Sequence, residues 1–231
     1  SADPRIVQNP RAIGRITFDE MRELSYMGAS VLQEEAIFPV REANIPIQIK
    51  NTNRPEDTGT VIRETAEGDV SEHLITGIAG KKDFLAIHVK KAHMSNEVGV
   101  ISRALNIVER YGVSVEHIPT GVDSFGIVVN ASDVKDTVYS IISDIRREIE
   151  PDDITMVDRL ALVSVVGRNM SRRSGTSGKI FGALGNAGVN IRMITQSSEE
   201  ISIIVGVDNA DFDRTIGVIY NGFVRDEMVS R

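Results

Sequence analysis

Hydrophobic and polar positions along this chain fall into two phases, and the sequence of phases occurs twice. Leu85, Ile87 and Val89 alternate with polar or small neighbours, the period of a half-buried strand. Ile101, Ala104, Leu105, Val108 and Tyr111 then recur at spacings of three and four, which predicts a helix. Residues 113–115 and the alternating Phe125, Ile127 and Val129 predict two more strands. Val134, Val138, Ile141, Ile145 and Ile149 predict a second amphipathic helix, and residues 154–157 a fourth strand. From Leu160 the order begins again, with Ile180, Leu184 and Ala187 on one helix and Phe212, Ile216, Ile219 and Phe223 on the next. Leu85-Ala86 falls on Leu160-Ala161, Met94 on Met170, Val113 on Val189, Ile118 on Ile194 and Ile127 on Ile203. A period this long exceeds those of solenoids and propellers, so it predicts two copies of one small α+β module. Paired modules of this kind suit sensing better than chemistry.

The first sixty-odd residues have a different texture. Thr17-Phe18-Asp19-Glu20 is a capping-box pattern and predicts a short helix ending near Gly28. A second helix is expected over residues 31–42, a strand over 45–49, a turn-rich loop over 51–59 and a short strand over 60–62. This is the tail of an α/β layer, too small to close its own core. Residues 64–72 are polar and acidic and read as a linker. The second copy stops at Arg231 without a fourth strand, whereas residues 74–79 form a strand with no place in the first copy. The expectation is that this strand is lent to the second module, so that the two are interleaved. The divisions are then 1–66, 67–82 (linker and lent strand), 83–158 for the first module and 159–231 for the second.

Composition narrows the function. The 231 residues are 41% hydrophobic and 26% charged, ordinary for a globular protein, and the formal net charge of −7 speaks against nucleic acid as a partner. Without cysteine there are neither disulfides nor thiolate metal sites, which suits a cytoplasmic protein. No apolar run approaches the roughly 20 residues that span a bilayer, so no membrane partner is expected. The opening Ser1-Ala2-Asp3 has neither a signal peptide nor an initiator Met, the look of a segment of something longer.

Asp3-Pro4-Arg5, residues 23–29, Val31-Leu32, Asn51-Thr52 and Gly59-Thr60 resemble the C-terminal end of the kinase domain of aspartate kinases. The repeat pair resembles the tandem ACT regulatory domains that follow it in that family, most closely at residues 189–194 and 198–203. The resemblance covers essentially the whole chain. It implies tandem interleaved ACT modules of ferredoxin-like βαββαβ plan behind the tail of an α/β amino-acid-kinase domain. It also implies a full-length enzyme that phosphorylates the β-carboxylate of L-aspartate with ATP-Mg, under feedback from end-product amino acids. The N-terminal half of that kinase domain is missing, so the segment alone is expected to be inactive, with no catalytic residue, cofactor or metal of its own. Chains are expected to pair as homo-oligomers, dimers through the ACT modules. A non-catalytic regulatory subunit and a stand-alone amino-acid sensor remain alternatives.

The resemblance also marks sites, each with a plainer reading beside it. Arg5 would face the nucleotide phosphates, where a guanidinium fork suits phosphate oxygens, or is simply an exposed turn residue. Ser30 and Val31 fall where the family lines the nucleotide pocket; Ser30 replaces a frequent Lys, and Gln33 a frequent His. Asn96, Val98 and Gly99 open the first ACT helix, where free N–H groups would receive an α-carboxylate. The plain reading is capping by Asn96. Many members have Asp-x-Pro-Gly there, and this chain has neither the Asp nor the Pro. Glu116 would accept from an effector ammonium and Thr120 would bond its polar atoms, with Pro119 marking a sheet edge or bulge. Met94 would close the apolar side or fill the core. Asn190 and Ile191 would complete a ligand site across a dimer interface, or start a strand. Threonine and lysine both fit as effectors. His117 reads as a polar surface residue, and residues 172–179 fail the phosphate-loop pattern because Ile180 stands where Ser or Thr must hold Mg²⁺.

Overall fold

The computed structural model of the chain describes residues 1–29, 34–64 and 73–225. Its elements run β1 (Arg15–Thr17), α1 (Phe18–Tyr26), α2 (Glu34–Glu42), β2 (Ile47–Ile49), β3 (Thr60–Arg63) and β4 (Gly77–Lys90). They continue with α3 (Val100–Arg110), β5 (Ser124–Asn130), α4 (Val138–Ile149), β6 (Asp153–Val166), α5 (Thr176–Asn186), β7 (Met193–Gln196), β8 (Ser202–Asp208) and α6 (Phe212–Tyr220). This is the α+β plan, arranged as two compact units: Lys82–Ala161, and Ser1–Lys81 with Leu162 onward. β4 and β6 each contribute residues to both units.

The unit of residues 82–161 is one α+β module. Its strand order is β5-β4-β6, with β4 antiparallel to β5 in the register Phe84↔Asn130 to Lys90↔Ser124. Leu85, Ile87, Val89, Phe125, Ile127 and Val129 share a buried cluster with Val100, Ala104, Ile107 and Val108 of α3 and Val138, Ile141, Ile145 and Ile149 of α4. The strand alternation and the face of α4 are those the sequence predicts. The face of α3 is turned by about one residue: Val100 and Ile107 are in the core, whereas Ile101 and Tyr111 only border it. Residues 113–115 form no ladder, and the fourth strand is far longer than 154–157 because β6 continues without a break.

In the other unit β1 pairs in parallel and β2 antiparallel with β3. The capping box forms as predicted, with Thr17 as N-cap and its side chain accepting from the Glu20 N–H. The described part of the second helix starts at Glu34, and the strand expected over 45–49 is confined to Ile47–Ile49. Beside these lies the second module, with strand order β4-β6-β8-β7. Residues 77–81 of β4 run next to the C-terminal part of β6, and the Thr76 N–H donates to the Val166 carbonyl at 2.8 Å. Leu162 to Val166 are buried at every position, including Ser164, so this part of β6 is covered on both faces. Ile180 and Leu184 of α5 and Ile216 and Ile219 of α6 are in the core of this unit. The N-terminal residues approach β4 closely: a Cβ on Gly77 would stand 2.8 Å from Leu24 Cδ1. At Gly167 the neighbour is backbone, with a Cβ 2.3 Å from the Leu74 carbonyl oxygen, and glycine there is a packing requirement.

Candidate functional site

The sequence places its main candidates on the module of residues 82–161, where the segment after α3 forms an irregular sheet edge. The N–H groups of Glu116 (2.8 Å) and His117 (3.4 Å) both donate to the Val128 carbonyl, two residues against one, which is a β-bulge. Pro119 contributes only its carbonyl, accepting from the Gly126 N–H at 2.8 Å, so its lack of an N–H costs no ladder bond. The bulge holds the segment off the end of α3 and leaves an open groove of about 690 Å³. Leu105 and Asn106 form its helix side, and Ser114, Glu116, His117 and Ile118 its edge. The His117 Nε2 is buried without a hydrogen-bond partner, and burial pushes the imidazole below its ordinary value against the opposing charge of Glu116. His117 is therefore half-buried at the groove edge, with one ring nitrogen turned away from solvent.

The loop that opens α3 is closed by a charge clamp. Glu97 is gripped by Lys91 at 3.2 Å and by Arg103, and Arg103 also donates to the Val98 carbonyl at 3.1 Å. Lys91 Nζ donates as well to the Ile149 carbonyl at the end of α4, at 2.8 Å. Hydrogen bonding from Lys91, helped by the Lys91 charge and by the hydrogen bond and charge of Arg103, outweighs desolvation and holds the Glu97 carboxyl below the usual range. The helix itself is capped by Gly99, not by Asn96: Gly99 adopts φ +82°, and Asn96 ends a 3₁₀ turn begun at Met94. The second module repeats this geometry, with a 3₁₀ turn Met170–Arg172 and Gly175 at φ +84° before α5. There Arg173 stands where the first module has Glu97.

Of the predicted effector residues only Glu116 lines the groove. Met94 is a core residue, 8% exposed. Val98 is 94% exposed at the clamp, next to Gly99 and close to Asn96. Thr120 is exposed and bridges Phe125. Asn190 and Ile191 belong to the other unit, ahead of β7. Sequence reading missed Lys91, Glu97, Arg103 and Asn106. Their separations cross from loop into helix and follow neither the strand nor the helix period; the residue types alone could have suggested a clamp.

In the kinase-like segment Arg5 is exposed and paired with Asp3 at 2.6 Å, and Ser30 and Val31 lie outside the described residues. A buried node stands behind this segment. Glu20 is fully buried and accepts from the Thr17 N–H (3.0 Å), the Thr76 hydroxyl (2.6 Å), the Arg168 N–H (3.0 Å) and the Arg168 guanidinium (2.7 Å). Burial works to raise its carboxyl; the Thr17, Thr76 and Arg168 donors and the Arg168 charge outweigh it and hold the value low. Arg11 adds its guanidinium to the Ile75 carbonyl at 2.9 Å, and its N–H to the Tyr220 hydroxyl at 2.8 Å. Among the described residues no group of three or more His, Asp or Glu is placed to hold a metal ion. Nor is any helix among them long and apolar enough to cross a membrane.

Two family models match: amino acid kinase family over residues 1–51 and ACT domain over residues 163–223. Aspartokinase 3 of Bacillus subtilis (strain 168) is 38% identical over 231 residues, all of this chain and 50% of that protein. The crystal structure of Clostridium acetobutylicum aspartate kinase is 49% identical with a TM-score of 0.92, covering 96% of this chain and 51% of that one. A crystal structure of aspartokinase alpha and beta subunits contains a chain 30% identical, with a TM-score of 0.58. That match covers 64% of this chain and 97% of the subunit chain. The chain thus spans about half the length of the two full-length relatives, and nearly the whole of the subunit chain.

Proposed function

Because the chain belongs to the aspartokinase family, with a kinase tail followed by ACT modules, we propose that its regulatory region senses an amino acid on the module of residues 82–161. The observation that carries this reading is the groove beside the bulge, which presents Glu116 and the buried edge of His117 opposite Leu105, Asn106 and Glu109 of α3. A carboxylate on an open edge is suited to an effector ammonium, and backbone groups at such an edge can bond a small polar ligand. Lysine and threonine both meet these demands. Asn96, Val98 and Gly99 offer a second face for the ligand's carboxylate, and Asn190 and Ile191 complete the site in an oligomer, a dimer through the ACT modules. Met94 and Thr120 support it at most from behind and from the rim.

The whole protein, on this reading, transfers the γ-phosphoryl group of ATP-Mg to the β-carboxylate of L-aspartate in the cytoplasm. Arg5, Ser30 and Val31 contribute to its nucleotide pocket. The effector shifts the population between competent and incompetent kinase states. This requires different affinity for the two states, and a coupling of roughly 1–3 kcal/mol gives strong inhibition. A second reading, a regulatory subunit serving a separate kinase chain, is favoured by the 97% coverage of the subunit chain.

Calorimetric titration with L-lysine and L-threonine, separately and together, tests the sensing role. Saturable binding that Glu116→Ala abolishes is the expected result. A folded chain that releases no heat with either amino acid would remove the sensing assignment from this region.

A further inference from the structure

The clamp on Glu97 holds a carboxylate between two cations on the face where the proposed function places an amino-acid carboxylate. We propose that Glu97 is a built-in competitor: it occupies Lys91 and Arg103 in the free protein, and an effector's α-carboxylate displaces it. The inference rests on the sensing assignment and names the residues that read the acid end of the ligand.

Three observations carry it. First, the two cations differ in their other duties. Lys91 is only 16% exposed and anchored on the Ile149 carbonyl, whereas Arg103 is 42% exposed and reaches across the turn to the Val98 carbonyl. Each cation therefore has a second tether that does not depend on Glu97, and a carboxylate arriving from solvent meets both of them. Second, Glu97 is 43% exposed, so its pairing competes with water and salt and is weak enough for a ligand to replace. Third, the arrangement belongs to the first module alone. The repeat places Gly167, Arg173 and Lys179 where Lys91, Glu97 and Arg103 stand, so no acid at that position can occupy a cation pair. The duplicated turn keeps its shape in both copies, with Gly99 and Gly175 in the same left-handed conformation, while the charge pattern is rewritten in one.

Displacement exchanges one carboxylate for another on the same two cations. Glu97 swings into solvent, and the turn carrying the exposed Val98 loses its tie to Arg103 on the Glu97 side. Arg103 keeps its bond to the Val98 carbonyl, so the device converts ligand occupancy into release of one charged side chain from the turn.

The test is calorimetry of the chain with L-lysine and L-threonine at low and moderate salt, and with lysinamide and threoninamide, which lack the carboxylate. Glu97→Gln keeps the side-chain size and removes the competitor, so the amino acid should bind about three- to tenfold more tightly, while the amides gain nothing. Arg103→Met should lose most of the affinity for the acids. Equal or weaker binding of the acids by Glu97→Gln, in a chain that binds them before substitution, overturns the displacement and leaves the sensing assignment standing. Failure of both the original chain and Glu97→Gln to bind either acid overturns the sensing assignment and the displacement with it.

Discussion

Glu20 and Glu97 are both glutamates in the grip of basic groups, and they sit in the two units of the molecule. Glu20 is fully buried and receives donors from the end of β1, from the residue before β4 and from the turn after β6. Glu97 lies in an open turn with nearly half of its side chain in water. Burial decides what each can do. A desolvated carboxylate with every oxygen satisfied is held by the fold and cannot be exchanged without breaking it. A screened carboxylate on the surface adds little to stability and can be replaced. One glutamate fastens the kinase segment to the second module; the other is placed to be displaced in the first.

The sharpest way to break this contrast is Arg168→Met, which leaves Glu20 buried without its cation. The expected loss is about 3–5 kcal/mol. Hydrogen exchange should show α1 and α6 losing protection while α3 and α4 keep theirs. Equal loss in all four helices would mean that the two units do not open separately.

Acid gives the next effect. Because the folded Glu20 carboxyl is held below its ordinary value, its stabilisation is complete above about pH 4.3 and is lost as pH falls through the folded value. Thermal denaturation between pH 6 and pH 3 should show this acid limb, flattened in Glu20→Gln. An unchanged limb would show that other carboxylates cause it.

The two helix starts offer a smaller comparison. Gly99→Ala and Gly175→Ala each force alanine into a left-handed conformation and should each cost about 1–2 kcal/mol in denaturant titrations. Unequal costs would show that the shared turn is under different strain in the two modules. His117 should act more weakly still. Burial lowers its folded value, so its neutral form favours the folded chain above about pH 6.5 and that contribution fades as pH falls below it. A slight fall in melting temperature from pH 7 to pH 5, absent in His117→Gln, is the expected reading. Glu97→Gln completes the series with no measurable change in melting temperature; a clear drop would make the clamp structural.

Much of this was legible in the sequence wherever one period governs one face. Leu85, Ile87 and Val89, the stripe of α4 and the capping box at Thr17 all follow a local rule that the packing then respects. The spacing alone puts the face of α3 about one residue out. Leu105 and Tyr111 look like core on spacing, but Leu105 lines the groove and Tyr111 bonds the Asp144 carboxylate at 2.7 Å. The near-continuous apolar run of residues 160–166 marks a strand buried on both faces, a signal that the alternation rule passes over. The Glu20 node was not legible, because Thr17, Thr76 and Arg168 are distant in sequence and meet only in the packed unit. The capping-box rule explains Glu20 completely at the local level, and so conceals its tertiary partners. The effector residues were gathered by resemblance into one site. Within this chain they lie on a groove, a turn, a core and another unit.

The division of β4 and β6 between the units bears on how the protein is made. Residues 82–161 are consecutive, so the native contacts of that module are all encoded before translation reaches Leu162. The other unit draws on two separate stretches: Ser1–Lys81 must wait for the segment from Leu162 onward before Glu20 meets Arg168 or Thr76 meets Val166. On the ribosome the first module can thus close on its own, while the kinase segment emerges early and finishes late. During that interval the Glu20 carboxylate is a solvated surface group, and it gains its cation only when the segment carrying Arg168 has emerged.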